Sequence, residues 1–162
     1  MLRRIALLLL LAGAPLHGAT AQQQTPDEFV ASIYVLYQSA DDRTRISTIW
    51  DQPDRYFVQD LANAIKRDRE RTPHGMVGAL DFDPFTADQL GQVLGHLAIE
   101  ATTQGDRAKV TVEFDRDDAE HSHARIQIDL ERVSAGWRVA DITWPGSPAA
   151  GLTLRGIFRV NN

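Results

Sequence analysis

Residues Ala108-Lys109-Val110-Thr111-Val112-Glu113-Phe114 alternate apolar and polar side chains without a break. A period of two puts Ala108, Val110, Val112 and Phe114 on one side of an extended chain and Lys109, Thr111 and Glu113 on the other. That is the pattern of a strand with one buried face. Outward on the C-terminal side, Ala124, Ile126, Ile128 and Leu130 alternate with Arg125, Gln127, Asp129 and Glu131 in the same way. The polar stretch Asp115 to His123 reads as the loop between these two strands. Ser134-Ala135-Gly136 is a turn, and Trp137 to Trp144 is a last strand closed by Pro145-Gly146. On the N-terminal side, Gln104-Gly105-Asp106 is a turn, and the period of two begins near Val93. Four strands in succession with short turns make an antiparallel meander.

The preceding part of the chain has a different period. Thr25-Pro26-Asp27-Glu28 offers an N-cap, a proline in the first turn and an acid three residues after the cap, which is a capping box. Phe29, Ile33, Tyr34 and Tyr37 then recur at helical spacing, and this helix should end near Ser39. A second helix is expected over Gln59 to Arg71. Its Leu61, Ala62 and Ile65 face inward, and Thr72-Pro73-His74-Gly75 stops it. Ile46, Ile49 and Trp50 suggest a short helical turn ahead of Pro53. Thr86 with Gln89 reads as a second capping box, opening a short helix, and Gly151 to Val160 fits either a short helix or an edge strand. Helices first and strands after is an α+β order. The expected architecture has N-terminal helices packed on a curved antiparallel sheet of about four strands, wrapped as a cone with one open end.

Composition narrows the function. Arg3 and Arg4 precede an apolar run from Ile5 to Ala14, and Ala19-Thr20-Ala21 is a small-x-small cleavage site. Residues 1–21 are therefore expected to be a signal peptide, and 22–162 a single α+β domain in the periplasm or outside the cell. The run is about half the ~20 residues a membrane span needs, so no membrane anchor is expected. The net charge is −5, and cleavage would make it more negative by removing two arginines. That disfavours binding to nucleic acid or anionic lipid by bulk electrostatics. The chain has no cysteine, which excludes thiol catalysis, cysteine–zinc sites, iron–sulfur clusters and cysteine-linked lipid.

Several of these segments resemble a bacterial exported family catalogued as domain of unknown function 3828. They are Tyr56-Phe57 ahead of Leu61-Ala62, then Leu80-Asp81-Phe82-Asp83-Pro84-Phe85, then Asp106 to Val112, then Gly136-Trp137-Arg138-Val139-Ala140-Asp141-Ile142. The resemblance spans most of residues 26–144, and Asp-x-Asp-Pro-Phe is its most specific part. It implies export and a cone similar to the nuclear transport factor 2-like superfamily. It implies no activity, because one fold serves many functions. One departure stands out: Val58-Gln59 occupies the place where relatives tend to carry Ser or Thr with Pro, so the second helix starts without a hydroxyl cap.

Three constellations carry candidate chemistry. Asp81, Asp83 and Asp88, with Phe85 between them, form a loop that can meet a ligand or a partner. Its carboxylates could hold Ca²⁺ or act as acid or base, but Asp-Pro is also plain turn chemistry, with Phe82 and Phe85 as core anchors. His121 and His123, with Glu120, form a His-x-His set suited to zinc or copper, or else a solvated hairpin tip. Glu100, His96, Tyr34, Tyr37 and Asp141 are candidates to line the cone interior, with Asp83, Asp141 or Glu100 as base and Tyr34 or Tyr37 as donor. Asp141 breaks the alternation of its strand, and a buried aspartate of that kind ordinarily has a backbone or arginine partner.

No Ser-His-Asp order, phosphate loop or dinucleotide fingerprint occurs, and no cofactor is expected. The reading that follows is a non-enzymatic binding module contacting a protein partner or a small ligand, an inhibitor or immunity role being one form. The alternatives are a pocket isomerase or hydrolase, and a metal binder. A homodimer through the exposed sheet face is also compatible.

Overall fold

A computed structural model describes residues 24–39, 48–89, 95–115 and 123–160. The expected signal peptide, His121 and Glu120 lie outside these residues.

The first helix, α1, runs Pro26–Ser39. Its capping box closes reciprocally. The Thr25 backbone N–H donates to Glu28 Oε2 at 2.8 Å, and the Glu28 N–H donates to Thr25 Oγ1 at 3.4 Å. Phe29, Val30, Ile33, Tyr34 and Tyr37 are all buried, so the striped face read from the sequence is the face that packs. A four-residue helix, α2 (Pro53–Tyr56), leads through Phe57 into α3 (Gln59–Arg71). Val58 caps α3 without a side-chain hydrogen bond, as expected of a residue with no hydroxyl. Leu61, Ala62, Ala64 and Ile65 form its buried stripe.

The strands are β1 (Gly95–Gln104), β2 (Arg107–Asp115), β3 (His123–Val133) and β4 (Gly136–Thr143), in one antiparallel sheet of order β1-β2-β3-β4. The register aligns Ala101, Val110, Ile128 and Ile142 in one row, and all but Ala101 are fully buried. The next outer-face row is Thr102, Lys109, Asp129 and Asp141. The alternation of the sequence thus survives in β2 and β3. Gly105 (φ 60°) takes the left-handed conformation needed in the two-residue turn between β1 and β2.

Helices and loops cover the apolar face. Tyr34 of α1 packs against Phe114 of β2, ring centroids 6.2 Å apart. At the free edge of β4, Phe57 forms a parallel bridge with Val139, and the Val58 N–H donates to the Val139 carbonyl at 3.0 Å. Thr143 bridges Thr153 on the same edge. The C-terminal segment, ambiguous in sequence, forms the short helix α4 (Leu154–Ile157). Thr153 caps it by accepting the Gly156 N–H at 2.9 Å, and Leu154 enters the core. The short helix expected after Thr86 is not seen among the described residues. Thr86 is instead buried inside a turn closed by a backbone bridge between Asp83 and Asp88, because Pro84 and Phe85 drive that segment into the core.

Arg155 of α4 ties the C-terminal segment to α3, its Nη2 donating to Asp60 Oδ2 at 2.6 Å. This contact holds the Asp60 carboxyl below its usual range. A depressed aspartate pKa contributes stability above the unfolded value of 3.8, and that contribution is lost as the pH falls through the lower folded value. About half of the Asp60 side chain is open to solvent, so screening limits the contribution to about 1 kcal/mol. Replacing Arg155 by Met is expected to lower stability by about that much at pH 7 and by less at pH 2. Urea denaturation at the two pH values checks it.

Candidate functional site

The Asp81–Asp88 segment becomes a loop fastened to the core by several hydrogen bonds. Asp83 accepts the Phe85 N–H at 2.9 Å, and its backbone N–H donates to the Asp88 carbonyl at 2.7 Å, so the loop is folded on itself. Three aromatic side chains then pin it. The Tyr37 hydroxyl donates to the Asp83 carboxylate at 2.8 Å, Tyr34 donates to the Phe85 carbonyl at 2.7 Å, and Trp144 Nε1 donates to the Pro84 carbonyl at 2.8 Å. Burial, reinforced by the Asp83 charge, raises the Tyr34 hydroxyl well above the ordinary tyrosine range, which keeps it a donor. Phe85 is fully buried and meets the rings of Tyr34, Tyr37 and Phe57 at 6.2–6.4 Å. Phe82 stands edge-on to Trp144 at 5.0 Å.

This loop forms one wall of an open cleft of about 550 Å³. The segment from Thr72 to Gly78 forms the opposite lip, and Trp50, Ile65, Leu80, Phe82 and Phe158 supply its apolar surface. The lip is held by Asp68, whose carboxylate accepts the Ala79 N–H at 3.0 Å and 3.2 Å. Gly78 leaves room for that carboxylate, because a Cβ there would lie 2.2 Å from Asp68 Oδ2 and displace it. Met76 and Val77 on the lip are each 68% exposed, the most exposed large apolar residues among those described. Asp68, Asp81 and Asp83 line the cleft against a single guanidinium, that of Arg69. Arg69 is engaged by Asp51 at 2.6 Å and donates to the Trp50 carbonyl.

Of the partner loop expected from the sequence, Asp81 and Asp83 line this cleft, Phe85 serves the core, and Asp88 closes the turn through its backbone. The set expected to line a pocket interior is not gathered. Tyr34, Tyr37 and Asp83 come together, but both hydroxyls donate to the loop. Glu100 sits on the outer sheet face opposite Thr111. Asp141 is on that face too, displaced by a bulge in which Asp129 pairs with Asp141 while Leu130 pairs with Val139. This explains the broken alternation. Its Oδ1 accepts the N–H groups of Ile142 and Arg155, both at 2.9 Å, and so holds the start of α4.

His123 meets neither the core nor the cleft. It approaches Asp115 at 3.4 Å, while His96, turned by a positive φ of 45° in the β1 bulge, bonds the other Asp115 oxygen at 2.7 Å. The two imidazoles, His96 first, hold the Asp115 carboxyl below its usual range. Among the described residues no group of three or more His, Asp or Glu side chains is placed to hold a metal ion. No described helix is long and apolar enough to cross a membrane. Sequence reasoning missed the Thr72–Gly78 lip. Its Pro-His-Gly stretch signals only a helix stop, although the adjacent Met76-Val77 is an apolar pair with no periodic partner.

No protein-family model matches the chain, and no curated protein matches it. Among solved structures it is similar to a chain in the crystal structure of the type VI native effector–immunity complex Tae3–Tai3 from Ralstonia pickettii. The two are 25% identical with a TM-score of 0.51, over 76% of this chain and 97% of that one.

Proposed function

We propose that this chain is a protein-binding module of the immunity type, exported to the periplasm, which docks on an effector protein and keeps it inactive. The observation that carries this reading is the similarity to a chain of an effector–immunity complex over 97% of that chain's length. The site agrees with it. Exposed Met76 and Val77 beside an apolar-walled cleft give a partner something to bury, whereas Tyr34, Tyr37 and Asp83 are spent on fastening the loop and Glu100 and Asp141 lie on the far sheet face. The same proposal places the chain with domain of unknown function 3828, and takes its sheet as a bent, cone-like variant of the nuclear transport factor 2-like fold.

The test is site-specific photo-crosslinking in the cells that encode the protein. A benzophenone side chain replaces Met76 in one variant and Lys109, on the outer sheet face, in another. The captured protein is identified, purified and titrated against the full chain by calorimetry. The expected result is a one-to-one complex with a dissociation constant below about 1 μM, and loss of the partner's activity in it. No protein crosslinked from Met76 above the Lys109 level, or no heat and no complex on reconstitution, overturns the reading.

A further inference from the structure

We infer that the cleft between the Thr72–Gly78 lip and the Asp81–Asp88 loop receives an arginine side chain presented by the partner protein. The inference rests on the protein-binding reading above and names the chemistry of that partner.

Charge and shape both point to a cation with a flat face. Three carboxylates line the cleft, and the single guanidinium among them is already paired with Asp51. Asp68 is committed to the Ala79 N–H, and Asp83 to Tyr37 and Phe85. Asp81 is exposed, lines the mouth, and has no bonded partner among the described residues. It is therefore the carboxylate a visitor meets first. The walls beside it carry three aromatic rings, Trp50, Phe82 and Phe158. A guanidinium suits this pairing better than an ammonium. It is planar, stacks on aromatic faces, sheds water readily and bonds a carboxylate through two N–H groups at once.

The volume, about 550 Å³, admits one long side chain and the backbone that carries it. Met76 and Val77 on the lip would then cover the methylene stem and exclude water, the surroundings in which interfacial arginines contribute most. The net charge of −5 draws a basic surface toward this one.

The test uses the full chain labelled with ¹⁵N and ¹³C-methyl methionine, titrated with the peptide acetyl-Leu-Arg-Leu-amide. Matched peptides carry norleucine, Lys or Glu in place of Arg. The expected result is shifts confined to residues 50, 65–89 and 158 and to the Met76 methyl, with affinity in the order Arg, Lys, norleucine, Glu. Asp81→Asn, an exposed and isosteric change, is expected to weaken Arg-peptide binding about five-fold or more while leaving norleucine binding unchanged. Equal affinity for Arg and norleucine peptides, shifts elsewhere on the molecule, or no effect of Asp81→Asn overturns the inference. So does the absence of any peptide binding. None of these touches the broader reading, which stands or falls on the crosslinked partner. Self-association of the free chain through the Met76 lip, seen as concentration-dependent shifts without peptide, would assign the cleft to a second copy and also overturn it.

Discussion

Phe85→Ala is expected to cost about 3–5 kcal/mol, the range for removing a fully buried aromatic ring. Phe85 has no exposed surface and stands where α1, the segment entering α3 and the Asp81–Asp88 loop meet, touching Tyr34, Tyr37 and Phe57. Two of these three rings, Tyr34 and Tyr37, cannot readily collapse into the space, because each is held at its hydroxyl end. Cavities lined by restrained side chains relax least and cost most. Against a total stability of about 5–15 kcal/mol, this one ring removes roughly a fifth or more. The midpoint temperature is expected to fall by roughly 10 °C, measured by circular dichroism. A loss under about 1 kcal/mol would mean that the loop is not seated in the core as described.

Asp83→Ala carries the second largest effect, about 2–4 kcal/mol. Its carboxylate accepts the Tyr37 hydroxyl and the Phe85 N–H, and Tyr37 is 1% exposed. Removing it takes the carboxylate from a buried hydroxyl and opens the Asx turn together, and buried donors left short of acceptors bear most of the cost. Tyr37→Phe is expected to cost less, about 1–2 kcal/mol, because Asp83 keeps the Phe85 N–H. The double variant should then be less destabilised than the two single losses added together. Simple additivity in a double-mutant cycle by urea denaturation would show that the Tyr37–Asp83 contact contributes nothing of its own. Asp83 also lines the cleft, so loosening its turn is expected to weaken binding of the arginine peptide along with stability.

These residues also show how far local pattern reaches. Asp-Pro chemistry and two phenylalanines mark residues 81–88 as an anchored turn in the sequence, and the fold contains that turn. The sequence cannot name what anchors it, because Tyr34 and Tyr37 lie about fifty positions upstream and Trp144 sixty downstream. The same applies to the cleft. Met76-Val77 is visible as an apolar pair, but only the seating of Asp68 against Ala79 makes it a lip facing Phe82. Residue type alone groups Glu100 and Asp141 with the tyrosines. A pleat and a one-residue bulge put them on the other side of the sheet.

Consecutive side chains determined the helix stripe of α1, its capping box, the inward face of α3 and the two faces of the strands from Arg107 onward, since period and capping act over a few neighbouring residues. Contacts between distant segments decided the rest. Strand pairing placed the bulge beside Asp141, packing against β4 gave the C-terminal segment its short helix, and the meeting of the α3 stop with the Asp83 turn made the cleft. Such contacts depend on register and on what is left to bury after the local elements have formed, and neither quantity is carried by any one stretch of chain.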